Sequence, residues 1–346
     1  MSGRRILVSP LNWGLGHATR CVPLIKKFQL EGSEIILSAN GRAKNFLQME
    51  FPELKFISSP DYNIRYSNIL PLWLMIFIQS PAILFSILKE HKWLDEVIEE
   101  YKIDEVISDN RYGLWTKKIR CVFITHQLMI KCPSFLFFLE PILHRIVKRF
   151  VLRYTECWVP DYEGAENLSG DLSHKYPLCD NTKFIGPLSR FNDEERNNSE
   201  QPSSKILRAD FLICFILSGP EPQRTRLEKK ILKLSNLFRY NVLLIQGKTD
   251  ENYEEYFGDH LRIVSNIKTN DLKYIITHTP LIICRAGYSG IMDLDALGKV
   301  GTLIPTPGQT EQEYLAKYLS QGDDYDVIRQ SNFSYEFKKR SKMYHK

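Results

Sequence analysis

The chain has seven cysteines but no C-x-x-C pair. Cys21, Cys121, Cys132, Cys157, Cys179, Cys214 and Cys284 are scattered and odd in number, which excludes a disulfide framework or a zinc ribbon and fits a reducing cytoplasm. A secretory leader is not expected, since "MSGRRILVSP" has too short an apolar core and alternates as a strand does. An unbroken apolar run of the roughly 20 residues that a bilayer span needs is lacking as well. The most apolar stretch, residues 69–88, is interrupted by Pro71, Gln79, Ser80 and Pro81. Nor is there a strong excess of one charge, because 46 basic residues against 41 acidic ones leave a net charge of +5. The basic residues form no recognised motif interleaved with aromatics, so nucleic acid is not an expected partner. What is present is the composition of an ordinary soluble globular protein, 43% hydrophobic and 25% charged, in a length of 346 residues that suits two domains.

From Arg4 onward β-rich runs alternate with amphipathic stretches: "RRILVS", a helix over 17–30, "EIILSAN", a helix over 42–51, "LKFISS". Such alternation reads as βαβ units of a parallel sheet. "DEVISDN", "CVFITHQ" and "ECWVPD" supply further strands. Residues 189–206 are polar, charged and without apolar periodicity, as a linker or exposed loop is. The alternation then restarts with "FLICFILSGP", a helix over 224–238, "NVLLIQGK", "LRIVSNI", "LIICRAG", a helix ending at Leu297, "VGTLIPTPG", a helix over 311–320 and "YDVIR". The expected organisation is a Rossmann-like domain over 1–188, the linker over 189–206, and a second Rossmann-like domain over 207–330. A basic amphipathic tail over 331–346 either packs back on the first domain or frays.

Two stretches break the pattern. Residues 69–88 read as a bilayer span, as buried helices or as a membrane-contacting hairpin, with the interior prolines weighing against a span. Residues 133–154, "PSFLFFLEPILHRIVKRFVLRY", carry Arg145, Lys148, Arg149 and Arg153 among aromatic and aliphatic residues. A basic amphipathic helix of this kind suits an anionic membrane surface, and a core helix with a solvated basic face is the alternative.

The loop after the first strand is "LNWGLGHATR". A dinucleotide fingerprint needs G-x-G-x-x-G and an acidic residue closing the second strand. Gly14 and Gly16 supply two glycines, but Thr19 stands at the third and the second strand ends at Asn40, so NAD binding is disfavoured. A P-loop is excluded too, because the Gly-Lys-Thr at 247–249 has Val242 where its first glycine belongs. What remains is a glycine loop opening a helix whose first turn carries an imidazole, His17. Helix N-termini favour anions and a neutral histidine can take a proton, although a capping role for His17 explains the residue as well. Polar residues follow two other strands: Asp109, Asn110 and Arg111 after "DEVIS", and His126 with Gln127 after "CVFIT". Ligands of open parallel sheets bind beyond the strands' carboxyl ends, which makes both groups candidate ligand contacts; turn chemistry is the alternative.

In the second half Arg285 and Gly287 end an apolar strand just before a helix, and Asp293 follows six residues on, within reach of a ribose diol. Gln309, Gln312 and Glu313 come one strand later. Asp293 and Asp295 spell D-x-D, yet residues i and i+2 of a helix point about 200° apart and cannot easily grip one ion. Asp293 is therefore read as a ligand contact and Asp295 as surface, with no metal site; Asp323 to Asp326 read as a solvated turn.

"CRAGYSGIMDLDALGKVGTLIPTPGQTEQEYLA" resembles the donor-binding signature of glycosyltransferase family 28 and its GT-B relatives, and "WGLGH" is similar to that family's first loop. The resemblance implies a GT-B fold: two Rossmann-like, doubly wound parallel-sheet domains facing a cleft, with the nucleotide-sugar donor on the second and the acceptor on the first, where Asp109, Asn110, Arg111, His126 and Gln127 become acceptor-side candidates. It assigns donor binding to Gly14, Gly16, Arg190, Ser218, Gly219, Arg285, Gly287, Asp293, Gln309, Gln312 and Glu313. His17 becomes the base, or else a phosphate or acceptor contact. Several departures stand out. Asp293 replaces a glutamate, Glu313 replaces a second glutamine, and the first loop lacks one glycine. The diphosphate loop reads "SGPEPQR", where Pro220 and Pro222 have no N–H to offer. The implied activity is inverting, metal-independent and cofactor-free transfer from a nucleotide-diphosphate sugar, of which a UDP-sugar is the first expectation. The acceptor is lipid-linked at the inner face of the cell membrane, or a soluble small molecule. Two alternatives remain: a sugar-nucleotide 2-epimerase, for which no clear set of acid/base carboxylates is seen, and a non-catalytic nucleotide-sugar-binding or scaffolding subunit.

Overall fold

The computed structural model describes residues 3–62, 64, 72–192, 202–322 and 324–341. The chain divides into two compact units, Met1–Asn192 and Asp193–Lys346. The boundary falls inside the expected linker, of which residues 193–201 lie outside the described residues. The linker's two ends are built in rather than exposed: Leu188 and Phe191 are buried in the first unit, Ile206 and Leu207 in the second.

In the first unit strands β1 (Arg5–Pro10), β2 (Glu34–Ser38), β3 (Lys55–Ile57), β4 (Glu105–Asp109), β5 (Arg120–Ile124), β6 (Glu156–Val159) and β7 (Thr182–Phe184) form one parallel sheet in the order β3-β2-β1-β4-β5-β6-β7. Its helices are α1 (Leu15–Leu30), α2 (Gly41–Glu50), α3 (Leu72–Tyr101), α4 (Glu140–Val151) and the short α5 (Asp171–His174). A central parallel strand is covered on both faces and so reads as a continuous apolar run. Ile6 and Val8 of β1 accordingly join the core shared with α1 and α2, while Leu7 joins the core shared with α3 and α4. Helix α1 buries Ala18, Cys21, Val22, Ile25 and Phe28, one stripe at helical spacing. Gly14 stands at its N-cap with φ +97°, a left-handed turn out of β1 that a side chain would strain.

Helix α3 runs unbroken through Pro81, contrary to the expected interruption. The ring removes the N–H that would reach Phe77 O, and the hydroxyl of Ser80 donates to that carbonyl instead, at 2.8 Å. Leu94 and Val97 anchor the second half of the helix in the core, whereas Phe77, Ile78, Leu84, Phe85 and Leu88 are exposed, Phe77 by 73%. The buried-helix reading of residues 72–88 is therefore overturned; residues 69–71 lie outside the described residues.

In the second unit β8 (Ile213–Ile216), β9 (Val242–Ile245), β10 (Glu254–Phe257), β11 (Leu261–Val264), β12 (Leu281–Cys284), β13 (Thr302–Leu303) and β14 (Asp326–Val327) are ordered β10-β11-β9-β8-β12-β13-β14, all parallel except β10 against β11. Helices α6 (Gln223–Leu232), α7 (Thr269–His278), α8 (Tyr288–Ala296), α9 (Thr310–Leu319) and α10 (Phe333–Ser341) accompany them. The C-terminal stretch, expected on the first domain or frayed, instead forms α10 and puts Phe333 and Phe337 into the second unit's own core with Phe215 and Phe238. Two buried phenylalanines are worth about 1.5–3 kcal/mol each, ample reason for nine residues to hold a helix there.

Candidate functional site

The first site is assembled by strand register. Pro10 of β1 pairs Asp109 of β4, and Asp109 pairs Ile124 of β5, so three strand ends stand level at the sheet's carboxyl edge. Strand order reverses on either side of β1 and β4, which is where open α/β sheets hold their ligands. The loops leaving these ends bring His17, Asp109 and His126 together.

His17, third residue of α1, sets Nδ1 2.7 Å from Asp109 Oδ1. Arg20, one turn further, donates through Nε to Oδ2 and through Nη2 to Oδ1 of the same carboxylate. Its Nη1 lies 3.0 Å from His126 Nδ1. Asp109, Arg20 and His126 are buried, whereas His17 keeps 14% of its side chain exposed. Burial alone would push the Asp109 carboxyl up, but Arg20 and then His17 hold it below its ordinary value, so it is ionised. An ionised carboxylate only accepts, so the short contact requires the proton on His17 Nδ1; the neutral imidazole then carries its lone pair on Nε2. Cys21 Sγ approaches Asp109 Oδ2 at 3.8 Å, but burial and the neighbouring carboxylate push its thiol well up, which removes it as a nucleophile.

Gly14 and Gly16 flank the turn into this site, Gly16 already inside α1. Asn110 takes φ +56°; its N donates to Ile124 O at 3.0 Å and its Oδ1 accepts from Thr125 Oγ1 at 3.2 Å, which ties β4's end to β5's. Gln127 lies beside His126, its Nε2 3.5 Å from the ring's Nε2. Arg111 points elsewhere. Its Nε donates to Glu90 Oε1 at 2.6 Å, Nη1 to Ser9 Oγ at 3.1 Å and Ser59 Oγ at 2.7 Å, and Nη2 to Pro60 O. A buried guanidinium so occupied clamps β1, α3 and the segment after β3 rather than facing a ligand. Arg190, half-buried, packs over the rings of Phe46 and Phe191.

The second unit repeats the layout. Cys284 of β12 pairs Ile216 of β8 and Leu303 of β13, so Ser218 and Gly219, Arg285 and Gly287, and Thr306 leave adjacent strand ends. A Cβ at Gly219 would meet Thr306 Oγ1 at 3.6 Å, and one at Gly287 would meet Gln312 Nε2 at 3.8 Å, so these groups converge. Gln312 Oε1 accepts from Thr306 N at 2.9 Å and Glu313 Oε1 from Gly308 N at 2.8 Å, so both side chains hold the 306–309 turn in shape. Arg285 is buried; its Nη1 reaches Ile304 O and its Nη2 Gln223 O, but its Nε meets no acceptor. Burial lowers its pKa to about 10, so it is still a cation at neutral pH. Thr306 Oγ1 and Gln309 Oε1 are buried without hydrogen-bond partners as well. Asp293 is buried on α8 and Asp295 half-buried, and among the described residues no three His, Cys, Asp or Glu side chains converge to hold a metal.

The loop "SGPEPQR" is closed in a way its prolines only half foretell. Glu221 accepts from Thr225 N at 3.2 Å and from Arg224 Nε at 2.6 Å, placing a carboxylate of the chain itself at the α6 N-terminus. Residues 213–339 match the glycosyltransferase family 28 C-terminal domain. A UDP-N-acetylglucosamine--N-acetylmuramyl-(pentapeptide) pyrophosphoryl-undecaprenol N-acetylglucosamine transferase of Caldicellulosiruptor saccharolyticus is 28% identical over 145 residues, 39% of each chain. The protein of the same name from Alkaliphilus oremlandii is 21% identical over 293 residues, 82% of this chain and 76% of that one. The solved spinosyn rhamnosyltransferase SpnG superposes with a TM-score of 0.61 at 13% identity, covering 97% of this chain and 91% of that one. The chain has a GT-B fold, and its second unit is similar to the glycosyltransferase family 28 C-terminal domain. The family's fold of two Rossmann-like domains is present in both halves, and the first relative's match reaches only 39% of that protein's length.

Arg20, Glu90 and Glu221 escaped the sequence reading of this chain. Arg20 had a usable signal: it lies at i+3 from His17, on the same helix face. Glu90 and Glu221 had none, since both act through partners remote in sequence or through a turn that only the structure defines.

Proposed function

We propose that this chain transfers a sugar from a nucleotide-diphosphate donor, a UDP-sugar by analogy with the names of its relatives, to an acceptor hydroxyl with inversion. The observation that carries the reading is the His17–Asp109 pair: a buried, ionised carboxylate holds the imidazole so that Nε2 takes the acceptor's proton. As the hydroxyl oxygen attacks the anomeric carbon and the bond to the diphosphate breaks, negative charge grows on the leaving group. Positive charge for it is supplied by Arg285 and by the α8 N-terminus at Gly287, which supports transfer without a metal ion. Asp293 is assigned to the ribose. A thermal-shift panel of nucleotide sugars tests the donor: a ligand at about 100 times its Kd stabilises by about 2.7 kcal/mol. Stabilisation by a UDP-sugar, followed by transfer to an acceptor, is expected; no shift with any nucleotide sugar overturns the reading.

The Glu221 carboxylate at the α6 N-terminus, together with Pro220 and Pro222, favours one second reading, a nucleotide-sugar-binding subunit without turnover. Donor binding without hydrolysis or transfer selects it.

The acceptor is assigned to a lipid surface. Phe135, Phe137 and Phe138 between β5 and α4, Ile142 and Ile146 of α4, and Phe77, Ile78, Leu84 and Phe85 of α3 are exposed, and Trp73 meets Phe135 edge-on at 5.5 Å. Arg145, Lys148, Arg149 and Arg153 are exposed beside them. Helix α3 is long and apolar enough to cross a bilayer by length and composition. Its second half is anchored in the core, and residues 73–88, which carry the exposed apolar side chains, span only about 24 Å against a hydrocarbon core of about 30 Å, which favours lying in the interface. Co-sedimentation with anionic phosphatidylglycerol vesicles at low salt is expected, with release at high salt. Phe137→Ser with Phe138→Ser weakens it at least ~10-fold. Purely soluble behaviour at low salt assigns a soluble acceptor instead.

A further inference from the structure

Arg20 lies between two imidazoles that make opposite demands. His17 Nδ1 is 2.7 Å from Asp109 Oδ1, a contact that needs a proton on that nitrogen. His126 Nδ1 is 3.0 Å from Arg20 Nη1, and a guanidinium can only donate, so this nitrogen must be bare. The neutral His126 then carries its proton on Nε2. Arg20 Nη2 also comes within 2.9 Å of His17 Nδ1, a proximity that follows from both groups donating to Asp109 Oδ1.

We propose that Arg20 is a positioning residue that sets the two histidines in opposite tautomers, His17 with a bare Nε2 through Asp109 and His126 with a protonated Nε2 through its own Nη1. The outcome is one nitrogen that accepts a proton and one N–H that donates to a substrate oxygen. Only a planar fork does both, because its Nε and Nη2 grip the carboxylate while Nη1 points to a third group. A protonated His126 Nε2 also makes the neighbouring Gln127 amide turn its oxygen to the ring. Among the described residues, His17, Arg20 and Cys21 of α1 meet Asp109, with His126 joined through Arg20. This inference rests on the reading of His17 as base for its catalytic consequence, but not for its geometry.

Long-range proton–nitrogen correlation spectra of the full chain labelled with 15N-histidine report which ring nitrogen carries the proton. In the unsubstituted protein His17 is expected to show a protonated Nδ1 and His126 a protonated Nε2. In Arg20→Lys a single ammonium cannot serve both partners: His17 keeps its form, His126 passes to a mixture, and kcat falls about 10- to 100-fold with the donor KM unchanged. In Arg20→Met the loss of the cation raises the Asp109 pKa, so the acid limb of kcat/KM moves to higher pH. A proton on His17 Nε2 in the unsubstituted protein, or an unchanged His126 in the Arg20→Lys spectrum, overturns the proposal. Full turnover in His17→Ala instead removes the base reading and leaves the spectra to decide the role of Arg20.

Discussion

Asp109→Asn is expected to lower kcat by about 10³- to 10⁴-fold while leaving the shape of the site intact, the size of effect seen when an orienting carboxylate is replaced by its amide. Both oxygens are engaged, Oδ2 by Arg20 Nε and Oδ1 by Arg20 Nη2 and His17 Nδ1. An amide has only one oxygen to offer. With its nitrogen in the Oδ2 place it sets a donor against Arg20 Nε–H. With its nitrogen in the Oδ1 place it donates to His17, which relieves the conflict by shifting its own proton to Nε2, and the base is lost. Because the carboxylate acts through the imidazole, the effects do not add: on a His17→Ala background Asp109→Asn costs little further activity. Single-turnover rates of the four proteins with a saturating nucleotide sugar and acceptor check this. A loss of less than about 10-fold in Asp109→Asn, or multiplicative losses in the double variant, means that the pair is structural.

The central strands were legible because a parallel strand buried on both faces spells itself as an apolar run, as "RILVS" and "LIIC" do. Helix α1 was legible from its stripe and its glycine turn. Strand β10, helix α7 and strand β7 were not. "EEYF" is an edge strand paired antiparallel to β11 with every residue exposed, so no burial pattern marks it, and β7 is three residues long. Pro81 was misread because its helix-breaking cost is local while its remedy, the Ser80 hydroxyl on Phe77 O, is a matter of geometry. In the candidate site, "polar residue after a strand" treated Asp109, His126 and Arg111 as equals. The difference lies in what each side chain meets. Asp109 meets α1, next to the partly exposed His17, whereas Arg111 meets a buried glutamate on α3, thirty residues long and folded across the same face as α4.

Arg111→Met is therefore expected to cost stability, about 3–5 kcal/mol, the price of leaving one partner of a buried ion pair alone. Glu90 then keeps only Tyr62 OH, at 2.6 Å, and Gly113 N, at 3.1 Å, in a fully buried position. For a unit of this size that loss lowers Tm by about 6 to 20 °C. The pH dependence has a definite sign. Burial raises the Glu90 pKa even with Arg111 and Tyr62 opposing it, so the folded chain holds this proton more tightly than the unfolded one. Stability from this group is present at acidic pH and is lost as pH rises from the ordinary carboxylate value through the raised one. Without Arg111 the pKa climbs further, so the deficit of Arg111→Met is widest at neutral pH and narrows on acidification. Glu90→Met combined with Arg111→Met recovers most of the loss, because no charge is left stranded. Thermal melts of the two variants and the unsubstituted protein between about pH 5 and 8, the range in which such linkage is read, decide the matter. A variant Arg111→Met that melts like the unsubstituted protein but has a raised acceptor KM would instead return Arg111 to the acceptor site.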